Sequence, residues 1–203
     1  MASEIQTIAV IGAGDQGREI SRAVLLAGYR TILEDVSENR LERAAAWIGN
    51  GANVAAEGRS RLVLASEIEE AVREADLIVE AVLEEMEMKI EMFTIFDKFA
   101  KPDAIFASSS LSLPISELAA VTFCPERCIG LRFVPSNDLA QPVAQGGVPE
   151  ALRLLSAYGK DNALLLVRAP QTSEETVTRC REVGRRMGKE VMVVAEREFT
   201  ESR

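Results

Sequence analysis

Histidine is absent from this chain of 203 residues. Its absence removes the most common general acid and base of enzyme sites, so any proton transfer must use another side chain. The three cysteines, Cys124, Cys128 and Cys180, are odd in number and give no disulfide framework. Cys124 and Cys128 cannot complete a metal site without histidine. We therefore predict reduced thiols, no metal ion and a cytoplasmic location.

Positive charge is also in deficit, because 23 Lys and Arg stand against 32 Asp and Glu, for a net charge of −9. A pI near 4.8 argues against nucleic acid or an anionic membrane as a general partner. No apolar run approaches the about 20 residues that a transmembrane helix needs. Apolar residues nevertheless make up 47% of the chain, which is enough for a substantial core.

The most informative feature that is present is a glycine turn near the N-terminus. Residues 8–17 read Ile-Ala-Val-Ile-Gly-Ala-Gly-Asp-Gln-Gly, an apolar strand that runs into an amphipathic helix. In such a turn the first glycine allows the bend, the second lets a pyrophosphate approach the backbone, and the third lets helix and strand pack closely. Amide groups at the helix start would face the phosphates. The predicted dinucleotide-binding residues of this turn are Gly12, Ala13, Gly14, Asp15, Gln16 and Gly17, with the Asp15 side chain turned to solvent.

Asp35 ends the next apolar strand and lies 18 residues after Gly17 (35 − 17). A carboxylate at about this spacing binds the adenosine ribose hydroxyls of a dinucleotide. It would also repel a 2′-phosphate, which favours NAD over NADP. The alternative is a glycine turn in some other α/β protein, but the order of strand, turn, helix, strand and acid favours the Rossmann half-fold.

Predicted strands and helices alternate along the whole chain, which indicates an α/β fold with a doubly wound, mostly parallel sheet. Strands are expected at 5–11, 31–34, 61–65, 76–82, 104–107, 129–134, 163–169 and 191–194. Helices are expected at 17–27, 37–48, 66–75, 85–100, 114–120, 150–158 and 173–187, with a loop at 49–61. Ser66 with Glu69, and Thr172 with Glu175, have the spacing of capping boxes.

Beyond the glycine turn, the chain resembles the N-terminal domain of the 3-hydroxyacyl-CoA dehydrogenases of fatty-acid β-oxidation, over residues 5 to about 195. The resemblance is carried by residues 8–17, 75–84, 105–112, 125–133 and 172–189. It implies one Rossmann-type NAD-binding domain over residues 1–195, with an insertion at about 136–164 and a frayed tail at 196–203. It also implies NAD as cofactor, with Glu84 and Lys89 among its contacts. Without the resemblance, Glu84 and Lys89 would be interpreted as a surface pair at a helix start.

The catalytic half of the family's site is altered. The family uses a histidine base held by a glutamate, and by motif these positions fall on Arg132 and Arg168. Arginine stays protonated in proteins and is no base near neutral pH. The serine that holds the substrate oxygen falls on Leu111, with Ser110 or Ser112 as the nearest substitutes. The family's C-terminal helical domain, which completes the site and the dimer, has no counterpart in these residues.

Two functions stay open. In the first, the chain binds NAD(H) without hydroxyacyl-CoA dehydrogenase activity of its own, as a sensor or as a subunit completed by a second copy or another chain. Arg132 and Arg168 then either hold an acyl-CoA or a small anion, or pair with internal acids such as Asp138 or Glu80.

In the second, the chain is an NAD-dependent oxidoreductase that acts on a hydroxyacyl or other acidic hydroxy substrate with a different proton donor. Candidate donors are Lys160, Tyr158 and Ser110, of which the first two lie in the insertion. The plainer interpretation of Lys160 and Tyr158 is an exposed helix end.

Overall fold

The computed structural model describes residues 4–50, 56–110, 112–133 and 163–197. Strands and helices alternate through these ranges. The strands are β1 (Thr7–Ile11), β2 (Arg30–Glu34), β3 (Leu62–Ala65), β4 (Leu77–Glu80), β5 (Ile105–Ser108), β6 (Cys128–Phe133), β7 (Ala163–Arg168) and β8 (Glu190–Ala195). The helices are α1 (Asp15–Leu26), α2 (Glu38–Gly49), α3 (Ala56–Arg59), α4 (Ile68–Glu74), α5 (Met86–Phe99), α6 (Ile115–Ala119) and α7 (Glu174–Arg186), with a 3₁₀ turn at Pro125–Arg127.

The strands form one sheet in the order β3-β2-β1-β4-β5-β6-β7-β8. All neighbours from β3 to β6 are parallel, β6 and β7 are antiparallel, and β7 and β8 are parallel. The predicted α/β fold with a mostly parallel sheet is confirmed. From β1 the chain adds β2 and then β3 on one side of the sheet, and it then crosses back to add β4 on the other side of β1. The direction in which strands are added therefore reverses between β1 and β4. In sheets of this kind, ligands bind at the carboxyl ends of the strands beside such a reversal.

Helices cover both faces of the sheet, which explains why its strands are continuous apolar runs. Val10 faces the core shared with α1, α2 and α7, whereas its neighbour Ile11 faces the core shared with α4, α5 and α6. On the second face Phe93, Phe96 and Phe106 pack with ring centroids 5.5 to 6.3 Å apart. The two cores hold the strand ends in fixed positions, and the candidate site is built on those ends.

Three local predictions were wrong. No side chain caps α4, whose N-cap is Glu67, so the box of Ser66 and Glu69 does not form. Ser173 caps α7 by accepting the Thr176 N–H at 3.1 Å. The Thr172 hydroxyl instead donates to the Cys128 carbonyl at 2.6 Å, a bond that joins the turn after β7 to the start of β6. The predicted loop at 49–61 contains the short helix α3.

Two further predictions concern the last third of the chain. The insertion predicted at 136–164 and the helix at 150–158 lie outside the described residues, apart from Ala163 and Leu164 at the start of β7. Glu196 was expected to belong to a frayed tail, but it is buried and its carboxylate accepts the Ser116 N–H at 2.8 Å. Within the described ranges, no helix is long and apolar enough to cross a membrane.

Candidate cofactor site

The turn between β1 and α1 lies tightly against the end of β4. Gly12 has φ +107°, and a Cβ there would lie 2.6 Å from the Ala81 carbonyl oxygen. A Cβ on Gly17 would overlap the Gly12 carbonyl oxygen. A Cβ on Gly14, in contrast, would meet no atom within 4 Å. The turn is therefore closed towards the sheet and open at Gly14, which is the side from which a pyrophosphate would have to approach.

The first turn of α1 faces this open side. Gly14 is its N-cap and offers no side chain to the first amides of the helix. Such amides, together with the helix dipole, favour a phosphate group. The Asp15 side chain is 89% exposed and pairs with Arg18 at 3.2 Å, so it points into solvent as expected. Gln16 extends across the sheet end, where its Nε2 donates to the Ser109 carbonyl at 3.2 Å.

Asp35 is held at the end of β2 by donors from three segments. Its Oδ2 accepts the Ala13 N–H at 3.0 Å, and its Oδ1 accepts the Ser37 N–H at 2.8 Å. Arg40 adds Nε at 2.9 Å and Nη2 at 2.8 Å from Oδ1. Burial raises the pKa of Asp35, but the hydrogen bonds from Arg40, Ala13 and Ser37 outweigh it and keep the pKa below its usual range. The carboxylate is thus ionised and lies beside the glycine turn.

A buried ion pair supports the neighbouring strand ends. Lys89 of α5 is 1% exposed, and its Nζ lies 2.6 Å from Oε1 of the fully buried Glu80. The other Glu80 oxygen accepts the Ser108 hydroxyl at 2.7 Å. These bonds tie β4, β5 and α5 together where the strands end. Lys89 therefore lies behind the surface that a cofactor could reach.

Glu84 occupies the front of the same cluster. It accepts the Ser110 hydroxyl at 2.6 Å and the Ser112 N–H at 2.9 Å, and its Oε2 lies 3.3 Å from Lys89 Nζ. Burial raises the pKa of Glu84, but the hydrogen bond from Ser110, the charge of Lys89 and the hydrogen bonds from Ser112 outweigh burial. The pKa is therefore below its usual range, and the group is ionised. Glu84 and Lys89, predicted as cofactor contacts, are brought together with Ser110 at the carboxyl edge of the sheet.

Residues 7–141 match the model of the 3-hydroxyacyl-CoA dehydrogenase NAD-binding domain. The chain belongs to the 3-hydroxyacyl-CoA dehydrogenase family. A 3-hydroxybutyryl-CoA dehydrogenase of Bradyrhizobium diazoefficiens is 37% identical over 155 residues, which cover 70% of this chain and 53% of that protein. A probable 3-hydroxybutyryl-CoA dehydrogenase of Bacillus subtilis is 32% identical over 202 residues, 94% of this chain and 63% of that protein.

Solved structures show the same relationship. The 3-hydroxybutyryl-CoA dehydrogenase of Escherichia coli superposes with a TM-score of 0.77 at 25% identity, over 96% of this chain and 39% of that chain. The present chain spans about half to two thirds of the length of the two curated relatives above. NAD is the cofactor of this family's N-terminal domain, and the closed turn, the open face at Gly14 and the ionised Asp35 fit a dinucleotide.

Arg132, which the motif predicts at the position of the family's histidine, is 0% exposed on the face of β6 that α5 and α6 cover. Burial lowers the pKa of Arg132 to about 9, while the charges of Glu84 and Glu196 act in the opposite direction. The sequence does not point to Glu196, because nothing in a charged tail signals burial. It reaches this cluster from the end of β8.

Arg168 does not join Arg132. It lies on β7, where its Nη1 bonds Glu174 at the start of α7 and its Nε donates to the Thr172 carbonyl at 3.2 Å. The idea of two arginines around one anion is therefore wrong. Glu80, one of the acids suggested as a partner, is engaged by Lys89 and Ser108 instead. Other residues proposed from sequence lie outside the described ranges: Leu111, Asp138, Tyr158 and Lys160.

Proposed function

We propose that this chain binds NAD(H) and does not by itself carry out 3-hydroxyacyl-CoA dehydrogenation. The observation that carries the proposal is the complete burial of Arg132, the residue that the motif predicts at the position of the family's base. In that reaction a base takes the hydroxyl proton as hydride leaves for NAD. A buried arginine whose pKa is about 9 is a cation at neutral pH and has no lone pair to accept the proton.

The surroundings of Arg132 support an internal role over an anion-binding role. Glu84 and Glu196 supply negative charge to the guanidinium. A fully buried guanidinium with these neighbours offers no exposed face to an acyl-CoA or small anion. Loss of the base alone would cost about a hundredfold to ten-thousandfold in rate.

The alternative with a different proton donor has less support. The Ser110 hydroxyl, its only candidate among the described residues, donates to Glu84 at 2.6 Å. Its O–H is therefore already engaged in a hydrogen bond to an ionised carboxylate. The hydroxyacyl-CoA class in the relatives' names is the first substrate class to test. The three thiols are free and buried, in keeping with a reducing cytoplasm.

The deciding experiment mixes the purified protein with NADH and acetoacetyl-CoA and follows NADH fluorescence over time. We expect enhanced fluorescence on binding and no decay. A decay that scales with protein concentration would overturn the loss of activity, and absence of any enhancement would overturn cofactor binding by this chain. Asp35→Arg serves as the binding control, because it places a cation beside Arg40 and should abolish the enhancement while circular dichroism stays unchanged.

A further inference from the structure

The connection from β5 to α6 is held at both ends by carboxylates from other parts of the sheet. At its start, the Ser110 hydroxyl donates to Glu84 at 2.6 Å and accepts the Leu113 N–H at 2.9 Å. At its end, the Ser116 N–H donates to Glu196 at 2.8 Å. Glu84 lies in the loop after β4, and Glu196 directly follows β8. Two acids that are far apart in the sequence therefore fix one short connection beside the cofactor site.

The first turn of α6 packs directly against the strand that carries Arg132. A Cβ on Gly130 would lie 3.2 Å from Cγ1 of Ile115, the first residue of α6. Gly130 and Arg132 are two positions apart on β6, so they lie on the same face of the sheet. The absence of a side chain at position 130 therefore lets α6 bring the bond between Ser116 and Glu196 close to Arg132.

Acids and bases alternate in this region, and only one of them is open to a cofactor. Burial lowers the pKa of Arg132 and the charges of Glu84 and Glu196 raise it, so both carboxylates act on one guanidinium. Glu84 also lies 3.3 Å from Lys89 Nζ. The Glu84 side chain is 40% exposed, whereas Glu196 is 8% exposed and Arg132 is fully buried. A cofactor can therefore meet Glu84, while Glu196 lies behind it.

We propose that Glu196 is a positioning residue of the cofactor site and that it acts on Glu84 through Arg132. The proposal rests on NAD(H) binding by this chain. With Glu196 ionised, two carboxylates share the guanidinium, and Glu84 keeps its hydrogen bonds from Ser110 and Ser112. Without the charge of Glu196, Arg132 attracts Glu84 alone, and attraction between buried charges is strong because little water screens it. The Glu84 carboxylate is then drawn off the two serines, and the surface offered to the cofactor changes.

This role extends the cofactor site across the sheet. Four strands, β4 to β7, stand between β1 and β8 in the strand order. The glycine turn follows β1, and Glu196 follows β8. A change of charge at the end of the last strand would thus alter the affinity for a dinucleotide that binds at the first.

The test measures NADH affinity by fluorescence titration in Glu196→Gln, Arg132→Gln and the double variant, with the wild type alongside. Glutamine at position 196 can still accept the Ser116 N–H, so the substitution removes the charge and keeps the bond to α6. We expect Glu196→Gln to bind NADH about tenfold less tightly than the wild type, the scale of one hydrogen bond to a charged group. Glu117→Gln, at an exposed position of α6, is the matched control and should leave the affinity unchanged.

The double variant tests the route through the arginine. Where the Arg132 charge is absent, Glu196 has no cation through which to act on Glu84. The double variant should therefore bind NADH more tightly than Glu196→Gln does, and within about twofold of Arg132→Gln. The melting temperature of each variant is measured as well, because a purely structural role of Glu196 would lower it without changing the NADH affinity of the folded protein.

Two results would overturn the proposal. In one, Glu196→Gln binds NADH as tightly as the wild type does. In the other, Glu196→Gln weakens binding equally with and without the Arg132 charge, which would mean that Glu196 acts through α6 alone. This second comparison stays decisive if Glu196→Gln folds poorly, since both Arg132→Gln and the double variant lack the buried cation. The wild-type titration separates these results from a failure of the proposed function, because a wild type that does not bind NADH would overturn both proposals together.

Discussion

Arg132 on β6 lies directly opposite Leu165 on β7 in the antiparallel register. Side chains of directly opposed residues lie on the same face of a sheet and contact each other. The residue of β7 that meets the side chain at position 132 is therefore Leu165. Arg168 is three positions further along β7, so its side chain points to the opposite face, where it meets Glu174. The two arginines cannot share a site for this reason.

The register predicts the outcome of restoring the family's histidine. We expect Arg132→His to show no turnover of acetoacetyl-CoA with NADH, because a side chain at this fully buried position has no exposed face towards a substrate, and because Glu84 and Glu196 lose the permanent cation between them. The measurement is NADH oxidation at 340 nm at high protein concentration. Arg132→Gln, which removes the charge without adding a base, is the control for changes in cofactor binding. Turnover close to that of the full-length relatives in Arg132→His would contradict the prediction.

Removal of the Lys89 amine should destabilise the fold strongly. Lys89→Met leaves the buried Glu80 carboxylate without its cation, and breaking a buried pair in this way costs about 3 to 5 kcal/mol in free energy of unfolding. Urea unfolding followed by circular dichroism measures the loss. Lys98→Met in the same helix is the matched control, since Lys98 is exposed, and it should change stability by less than about 0.5 kcal/mol. Equal losses in the two variants would show that the pair contributes little.

The glycine turn and the alternation of strands and helices could be predicted because their signals are local. Gly17 and Asp35 are each required by a contact within one strand–turn–helix–strand unit, and Gly12 has the positive φ of its turn. The register of β6 and β7 could not be predicted in this way. Residues 163–167 read Ala-Leu-Leu-Leu-Val, a run that is buried on both faces and has no alternation to fix which residue faces which. Arg168 was therefore assigned by motif, and the assignment placed it beside the wrong neighbour.

The burial of Arg132 could not be predicted from the sequence either. Its two acidic neighbours come from the loop after β4 and from the end of β8, 48 and 64 positions away (132 − 84 and 196 − 132). Charged residues at such separations show no pattern in a sequence. The same holds for Glu80 and Lys89, although the glutamate ends an apolar strand and the lysine opens a helix. Only the packing of α5 on the sheet brings the amine to the carboxylate.

Glu34 makes stability depend on pH in a predictable direction. Burial, with the nearby Asp35, Glu67 and Glu69, raises the pKa of Glu34 from 4.5 to about 7. Below pH 4.5 the carboxyl is protonated in both the folded and the unfolded chain, and the stability that the neutral form gives is fully present. Between pH 4.5 and 7 the unfolded chain loses this proton first, so stability falls as pH rises, and above pH 7 the loss is complete.

Glu34→Gln removes this titration and keeps the shape of the side chain. We expect the variant and the wild type to differ little at pH 4.5, and the variant to be the more stable by on the order of 2 kcal/mol at pH 8. Urea unfolding at pH 4.5, 6, 7 and 8 measures the difference in free energy of unfolding between the two proteins at each pH. Glu91→Gln, at an exposed position of α5, is the matched control and should give an offset that does not change with pH. A Glu34→Gln curve that stays parallel to the wild type would mean that Glu34 is ionised in the folded chain throughout this range, and that water or a cation reaches the end of β2.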